Sequence, residues 1–407
     1  GLSGVPRVRG GRDAAGMAGS SVVRGGVRPL CGARCPSAWH HGDMPVTPAL
    51  TLDTLRRHAL ARSLSRPTTL PRALARLGFV QADPLRAPAR AQDLTLRHRV
   101  RDYQAGDLER RYPKLGVEED FFLNYGFVTP TVHRLMHPRT PQTAWTPARW
   151  RQAHAVAEFV RARGVVHPRE VDEAFAHGRT TNWFGGTSRA STELLDGMHY
   201  RGLLRVARRE GGTRLYAARE TTPPPDDPKA AFDTLVDVVL GVYAPVPWRC
   251  FTQLVMDLRG GVPQWIDARR EAIARAGERL PGAVVDGERW VWPAGENPAS
   301  RRWAEPEGVH LLAPFDPVVW DRVRFERFWG WAYRFEAYTP AAKRVRGHYA
   351  LPLLWQGQVI GWGNLGVADQ QLTVDLGYVT GQPPASAAFR AALDDELQRM
   401  HVFLGLR

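Results

Sequence analysis

The sequence predicts an α+β protein with three tandem helix–helix–helix–hairpin units followed by a β-rich, barrel-like element. Three observations carry that prediction. Apolar stripes at helical spacing recur in three blocks, and each block runs into a short segment of extended character. A proline-rich linker, Pro223-Pro224-Pro225-Asp226-Asp227-Pro228, separates the second block from the third. From Val309 the texture turns to alternating, aromatic-rich segments. The resulting division is 1–46, an amino-terminal extension; 47–145, 146–222 and 229–300, the three units; 305–385, the β-rich element; and 386–407, a terminal helix.

Residues 1–46 are rich in Gly, Arg, Ser and Pro and show no apolar period, so they read as disordered. Cys31 and Cys35 stand near His40 and His41, but more loosely than a zinc site requires, and no metal site is expected. In the first unit, Thr51-Leu52-Asp53 opens a helix whose apolar positions are Leu52, Leu55, Leu60 and Leu64. Pro67 breaks it. Leu70, Leu74 and Leu77 mark a second helix, which Gly78 ends. An extended segment, Phe79 to Asp83, follows.

The second unit shows the plan most clearly. Helices are predicted over Trp150–Val160, Pro168–Phe175 and Ser188–Tyr200, with strands over Leu203–Arg208 and Thr213–Ala218 joined by Glu210-Gly211-Gly212. Three helices and a hairpin make a winged helix, a variant of the helix-turn-helix module. Arg205, Arg208, Arg209 and Arg214 ride on this wing and are candidate DNA contacts. In the third unit, helices over Ala231–Tyr243, Cys250–Asp257 and Pro263–Ala276 precede a hairpin turning at Asp286-Gly287. The final element is predicted to hold strands over His310–Phe315, Ala332–Tyr338, His348–Leu354 and Gln358–Leu365. Its many aromatic residues read as core more readily than as a base-stacking surface.

Composition narrows the function classes. No apolar run reaches the roughly 18 residues of a membrane span, so no membrane partner is expected. The formal net charge is +14, and all but three of the 55 basic residues are Arg, whose fork suits phosphate oxygens. Three Cys in 407 residues suggest a reducing, cytoplasmic setting.

The segment Gly78-Phe79-Val80-Gln81-Ala82-Asp83-Pro84-Leu85 carries the chemistry. In extended backbone, Gln81 and Asp83 project to the same side. An amide can orient a water there and a carboxylate can accept its proton. Asp before Pro is also an ordinary turn opener, so these residues alone do not decide the matter.

The remainder of the chain does more. Leu311-Leu312-Ala313-Pro314-Phe315-Asp316-Pro317, Trp320-Asp321-Arg322, Pro340-Ala341-Ala342-Lys343-Arg344 and Gly347-His348-Tyr349-Ala350-Leu351-Pro352-Leu353 resemble the carboxy-terminal signature of the crosslink-repair DNA glycosylases of the YcaQ/AlkZ type. Gln81-Ala82-Asp83, with Arg90 and Arg99 after it, is similar to that family's Gln-x-Asp motif and the arginines that follow. The resemblance implies three winged helices and a β-barrel-like element around a basic channel for double-stranded DNA. It implies excision of alkylated purines, notably N7-alkylguanines and interstrand crosslinks, by a monomeric, monofunctional enzyme with no metal and no cofactor. Gln81 and Asp83 would be catalytic, and Arg90, Arg99, Lys343 and Arg344 would join the wing arginines on DNA. Three positions depart from the family pattern. Asn124 and Gln92 stand where His is usual, and Trp362-Gly363-Asn364-Leu365-Gly366 aligns with an Arg-x-Asp-x-Lys strand. The competing reading is a winged-helix DNA-binding protein without catalysis, which accounts for the charge but does not need Gln81 and Asp83 together.

Overall fold

Helix α1 (Leu52–Ser63) begins where Thr51 and Thr54 cap each other, each hydroxyl accepting the other's backbone N–H. Pro71 in the first turn of α2 (Leu70–Leu77) and Gly78, at φ +69°, close that helix on both sides. The chain continues through β1 (Phe79–Gln81), α3 (Ala91–Leu96), α4 (Asp107–Leu115), β2 (Glu118–Phe121), β3 (Tyr125–Val128) and α5 (Pro130–Met136). The sheet order is β1-β3-β2, all antiparallel. The computed structural model describes residues 50–64, 66–175, 179–181 and 187–406. The extension, with Cys31, Cys35, His40 and His41, lies outside the described residues. Residues 47–407 form one compact unit.

The second unit comprises α6 (Pro147–Arg163), β4 (Val165–Val166), α7 (Pro168–Phe175), a short hairpin β5 (Arg179–Thr181) and β6 (Thr187–Arg189), α8 (Ala190–Tyr200), β7 (Leu204–Glu210) and β8 (Thr213–Ala218). The third comprises α9 (Pro228–Tyr243), β9 (Val246–Pro247), α10 (Trp248–Asp257), two 3-10 turns, α11 (Arg269–Arg279), β10 (Gly282–Val285) and β11 (Glu288–Val291). Asp227 caps α9 by accepting the N–H groups of Lys229 and Ala230. The main sheets run β4-β8-β7 and β10-β11-β9. In each of the three units a short strand ahead of the hairpin pairs with the last strand: β1, which follows α2, with β3; β4, which follows α6, with β8; and β9, which follows α9, with β11.

The carboxy-terminal part corrects the barrel expectation. Strands β12 (Val309–Leu311), β13 (Leu351–Trp355), β14 (Gln358–Ala368) and β15 (Gln371–Tyr378) form an open antiparallel sheet in that order. Among the described residues β12 and β15 remain its edges. A helix covers the sheet instead of closure: Phe389, Met400 and Phe403 of α14 (Ala387–Leu404) share a core with Leu311, Leu351 and Leu353. Between β12 and β13 the chain forms α12 (Pro317–Trp320) and α13 (Arg322–Trp329), capped by Asp316 and Asp321. Ala332–Tyr338 is not a strand. Glu336 there accepts the N–H groups of Val345, Arg346 and Gly347, so the segment folds onto a loop rather than into the sheet. The aromatic residues are largely core, with Phe325, Phe328, Tyr333 and Tyr349 buried.

Strand β1 lies between two cores. Val80 packs with the first two units and the carboxy-terminal sheet, and Phe79 with the third unit. Alternation across the pleat makes this possible, and it fixes the strand's end, where Gln81 stands. Opposite Gln81 is Gly126; a Cβ there would meet the Val80 carbonyl oxygen at 2.3 Å, so only glycine permits the approach of β3. No helix among the described residues is long and apolar enough to cross a membrane.

Candidate active site

Gln81 is held by its carbonyl oxygen. The indole N–H of Trp320 donates to it at 2.7 Å and the Asn124 amide at 3.4 Å. Indole is a donor only, so the Gln81 orientation is determined by chemistry: the oxygen faces Trp320 and the NH2 faces away. No protein acceptor among the described residues takes that NH2.

Asp83 is half-buried and caps no helix. Its Oδ1 accepts the Leu85 N–H at 2.9 Å, an Asx turn that sets the carboxylate's direction. Its own N–H donates to Gln92 Oε1 at 3.3 Å. Among the described residues no donor reaches Oδ2. Burial pushes the Asp83 carboxyl above the usual range, against a smaller lowering by the Leu85 N–H. The site therefore offers a fixed amide donor and a carboxylate with one unoccupied oxygen, two residues apart.

Arg99 is not at this surface. It is 4% exposed and gives two hydrogen bonds, at 2.7 and 2.9 Å, to the fully buried carboxylate of Asp316. It also reaches Ser63 Oγ and the Thr95 carbonyl. A guanidinium so engaged has no face for a phosphate, which corrects the expectation of DNA contact. Its effect on the site is indirect. Asp316 accepts the Val318 N–H and so caps α12, the helix that presents Trp320 to Gln81.

The wing arginines are engaged as well. Arg209 makes a bidentate pair with Glu119 of β2, with Nε at 2.7 Å, and Arg205 reaches Glu118 at 3.3 Å. Arg214 pairs with Asp196 at 3.0 Å and lies over the Tyr125 ring. Arg90 pairs with Glu109 and abuts the wing's turn at Gly212. Arg205 and Arg209 thus fasten the β7–β8 hairpin to β2, with Arg90 packed beneath its turn. Glu118 and Glu119, about ninety residues earlier in the chain, are buried and require that compensation. Arg208 is exposed and paired with Glu210. Lys343 is exposed, and Arg344 donates to the Thr339 carbonyl.

The model of the AlkZ-like DNA glycosylases matches residues 74–403. The chain belongs to that family. Among solved structures it is similar to the DNA glycosylase AlkZ of Streptomyces sahachiroi, at 16% identity and a TM-score of 0.55, covering 87% of this chain and 96% of that one. In this member of the family Asn124, Gln92 and Asn364 take structural bonds. Asn124 steadies Gln81, Gln92 accepts from the Asp83 backbone, and Asn364 donates to the Arg346 carbonyl at 2.7 Å. Trp320, which holds Gln81 most directly, was missed as a site residue. Its only sequence signal was its place in the block Trp320-Asp321-Arg322.

One group of described residues has the composition of a metal site: Asp120, His133 and His137, with ligand atoms all within 4.8 Å of one another. Asp120 already has a cation. Arg139 donates to Oδ1 at 2.9 Å and His137 to Oδ2 at 2.7 Å. The cluster reads as a neutralised buried carboxylate. Burial opposes the charge, but the Arg139 guanidinium, the hydrogen bond from His137 and the nearby His199 outweigh it and hold the carboxyl well below its usual range. A carboxyl depressed on folding contributes stability that is present in full above its unfolded pKa of about 3.9 and is lost as pH falls toward its folded value. Urea unfolding as a function of pH should therefore show a steeper acid loss in wild type than in Asp120→Asn. Parallel profiles would remove Asp120 from the account.

Proposed function

We propose that this chain hydrolyses the N-glycosidic bond of alkylated purines in duplex DNA, of the N7-alkylguanine type and including interstrand crosslinks, with Gln81 and Asp83 as the reacting pair. The observation that carries the reading is Gln81 locked through its oxygen by Trp320, which leaves its NH2 without a protein acceptor among the described residues, two positions from a carboxylate directed by the Leu85 N–H. In this mechanism a water accepts a hydrogen bond from Gln81 and donates one to Asp83. An N7-alkylguanine is cationic, and its bond to C1′ is weak. As that bond breaks, the pair leaves on the base and neutralises it, and the sugar takes oxocarbenium character. Asp83 stabilises the developing charge. The water oxygen bonds to C1′ and its proton passes to Asp83. The products are free base and an abasic deoxyribose. Water is the nucleophile, so no lyase step follows.

The same reading takes the three units as winged-helix modules, supported by the strand pairing they share. DNA is then held chiefly by arginine–phosphate contacts, and affinity should fall steeply as salt rises, through counterion release. Binding that is absent at low salt, or indifferent to salt, contradicts this. The test of the activity is incubation with duplex carrying N7-methylguanine or a nitrogen-mustard crosslink, followed by assay of released base and alkali-labile sites. Tight duplex binding without base release would favour a non-catalytic DNA-binding protein.

A further inference from the structure

Arg90, Arg99, Arg205, Arg209 and Arg214 each pair with a carboxylate. Arg346 does not. Its guanidinium lies beside two indoles, 4.8 Å from the ring centroid of Trp331 and 5.6 Å from that of Trp362. The two rings stand 6.4 Å apart and are inclined at 46°, so the cation occupies the angle between them. Its Nε is buried with no hydrogen-bond partner, and among the described residues no carboxylate forms an ion pair with it. Ring faces attract a cation but accept none of its hydrogen bonds in the manner of a carboxylate. The in-plane N–H donors of Arg346 are therefore left over. Such donors form a fork that matches two oxygens of a phosphate.

The surroundings fix that cation in place. Trp362 and Asn364 are two residues apart on β14 and so share one face of the sheet. Trp362 stands opposite Gly377 of β15, where a Cβ would collide with the indole, so glycine lets the ring lie across the strand. The Asn364 amide donates to the Arg346 carbonyl at 2.7 Å, which seats the backbone of Arg346 on the same face as its side chain. The Trp331 indole N–H donates to the Val359 carbonyl at 3.1 Å. Glu336, the acid of this loop, spends both oxygens on the backbone N–H groups of residues 345–347. Residues 334–348 hold four cations, Arg334, Lys343, Arg344 and Arg346, against that single carboxylate. The loop also presents Tyr338 and Val345 to solvent, 82% and 74% exposed.

We propose that Arg346 binds a backbone phosphate of duplex DNA, and that Trp331 and Trp362 hold its guanidinium ready for that contact. An arginine paired with an acid must give up that bond before it can take a phosphate; Arg346 breaks no ion pair. A side chain already confined by two rings also loses less rotamer freedom on binding. The inference rests on the reading of this chain as a glycosylase acting on duplex DNA, and it names a cation that touches the strand.

Arg346→Met keeps an apolar stem against the indoles and removes the charge and the donors. Arg346→Lys keeps the charge and removes the fork. The test is equilibrium titration of the full chain and both variants with an undamaged duplex, from about 50 to 200 mM salt, together with thermal melts. Each phosphate neutralised contributes about 0.9 to the slope of log affinity against log salt. Arg346→Met should therefore give a slope shallower by about 0.9, with affinity about tenfold lower at the low-salt end and the gap narrowing as salt rises. Arg346→Lys should restore the slope and only part of the affinity. The melting temperature of both variants should move by no more than about 2 °C, since an exposed cation–π contact contributes little to stability. A wild-type slope in Arg346→Met overturns the proposal, whether affinity falls or not, and a large drop in melting temperature alongside it makes the role of Arg346 purely structural. A wild type that does not bind duplex at low salt overturns the DNA reading and this contact with it, whereas duplex binding with an unchanged slope removes Arg346 alone.

Discussion

Asp83→Asn should lower turnover on an N7-alkylguanine duplex by about two to four powers of ten, the usual contribution of a positioned general base, while duplex affinity stays near that of wild type. The substitution preserves shape, and Asn Oδ1 can still accept the Leu85 N–H that directs the side chain. What it removes is the negative charge facing the oxocarbenium ion and the site that takes the proton. Gln81→Ala should cost less, since it frees the water without removing the charge. The pH dependence has a definite sign. The working form of Asp83 is the carboxylate, and burial raises its pKa. Wild-type turnover should therefore fall on the acid side at a pH above the roughly 3.9 of a free Asp, and that limb should vanish in Asp83→Asn. Equal base release by wild type and Asp83→Asn would end the assignment.

The second large effect is on stability. Arg99→Met should destabilise the fold by about 3–5 kcal/mol, because it leaves Asp316 buried without its counter-charge. For a chain of this size that corresponds to a drop on the order of 5–10 °C in melting temperature. Had Arg99 been a phosphate contact, the same change would weaken DNA binding and leave melting almost unmoved. Thermal melts and duplex titration below the melting range distinguish the two. Turnover should fall as well, since Asp316 caps the helix that carries Trp320 to Gln81. Loss of affinity with an unchanged melting temperature would return Arg99 to the DNA surface.

These two arginine roles mark where sequence reading stops. Apolar period, Gly and Pro punctuation and turn chemistry are local properties, and they located most helices of the three units. The predicted range Pro168–Phe175 coincides with α7, and the turns at Gly211-Gly212 and Asp286-Gly287 fall between paired strands. The extended Phe79–Gln81 segment was legible for the same reason, as was the Gln81–Asp83 spacing. Local pattern did not reveal α12 and α13, because their caps, Asp316 and Asp321, stand among aromatic residues that also suit strands. It did not reveal that Ala332–Tyr338 abandons strand structure to satisfy Glu336.

Charge was the least legible property. By composition Arg99, Arg205 and Arg209 look like any other arginine of a basic chain, and nothing near them in sequence announces a partner. Asp316, Glu118 and Glu119 are far away along the chain and reach them only through folding. The sequence by itself determined the α+β class, the repeating order of helices and strands, and the residue types available at the Gln81–Asp83 site. The tertiary structure decided which arginines are consumed in buried ion pairs, which way the Gln81 amide faces, and that the last sheet stays open beneath α14. The physical reason is range: backbone preference is settled within a few residues, whereas a buried charge is settled by whichever opposite charge the fold brings within about 3 Å of it.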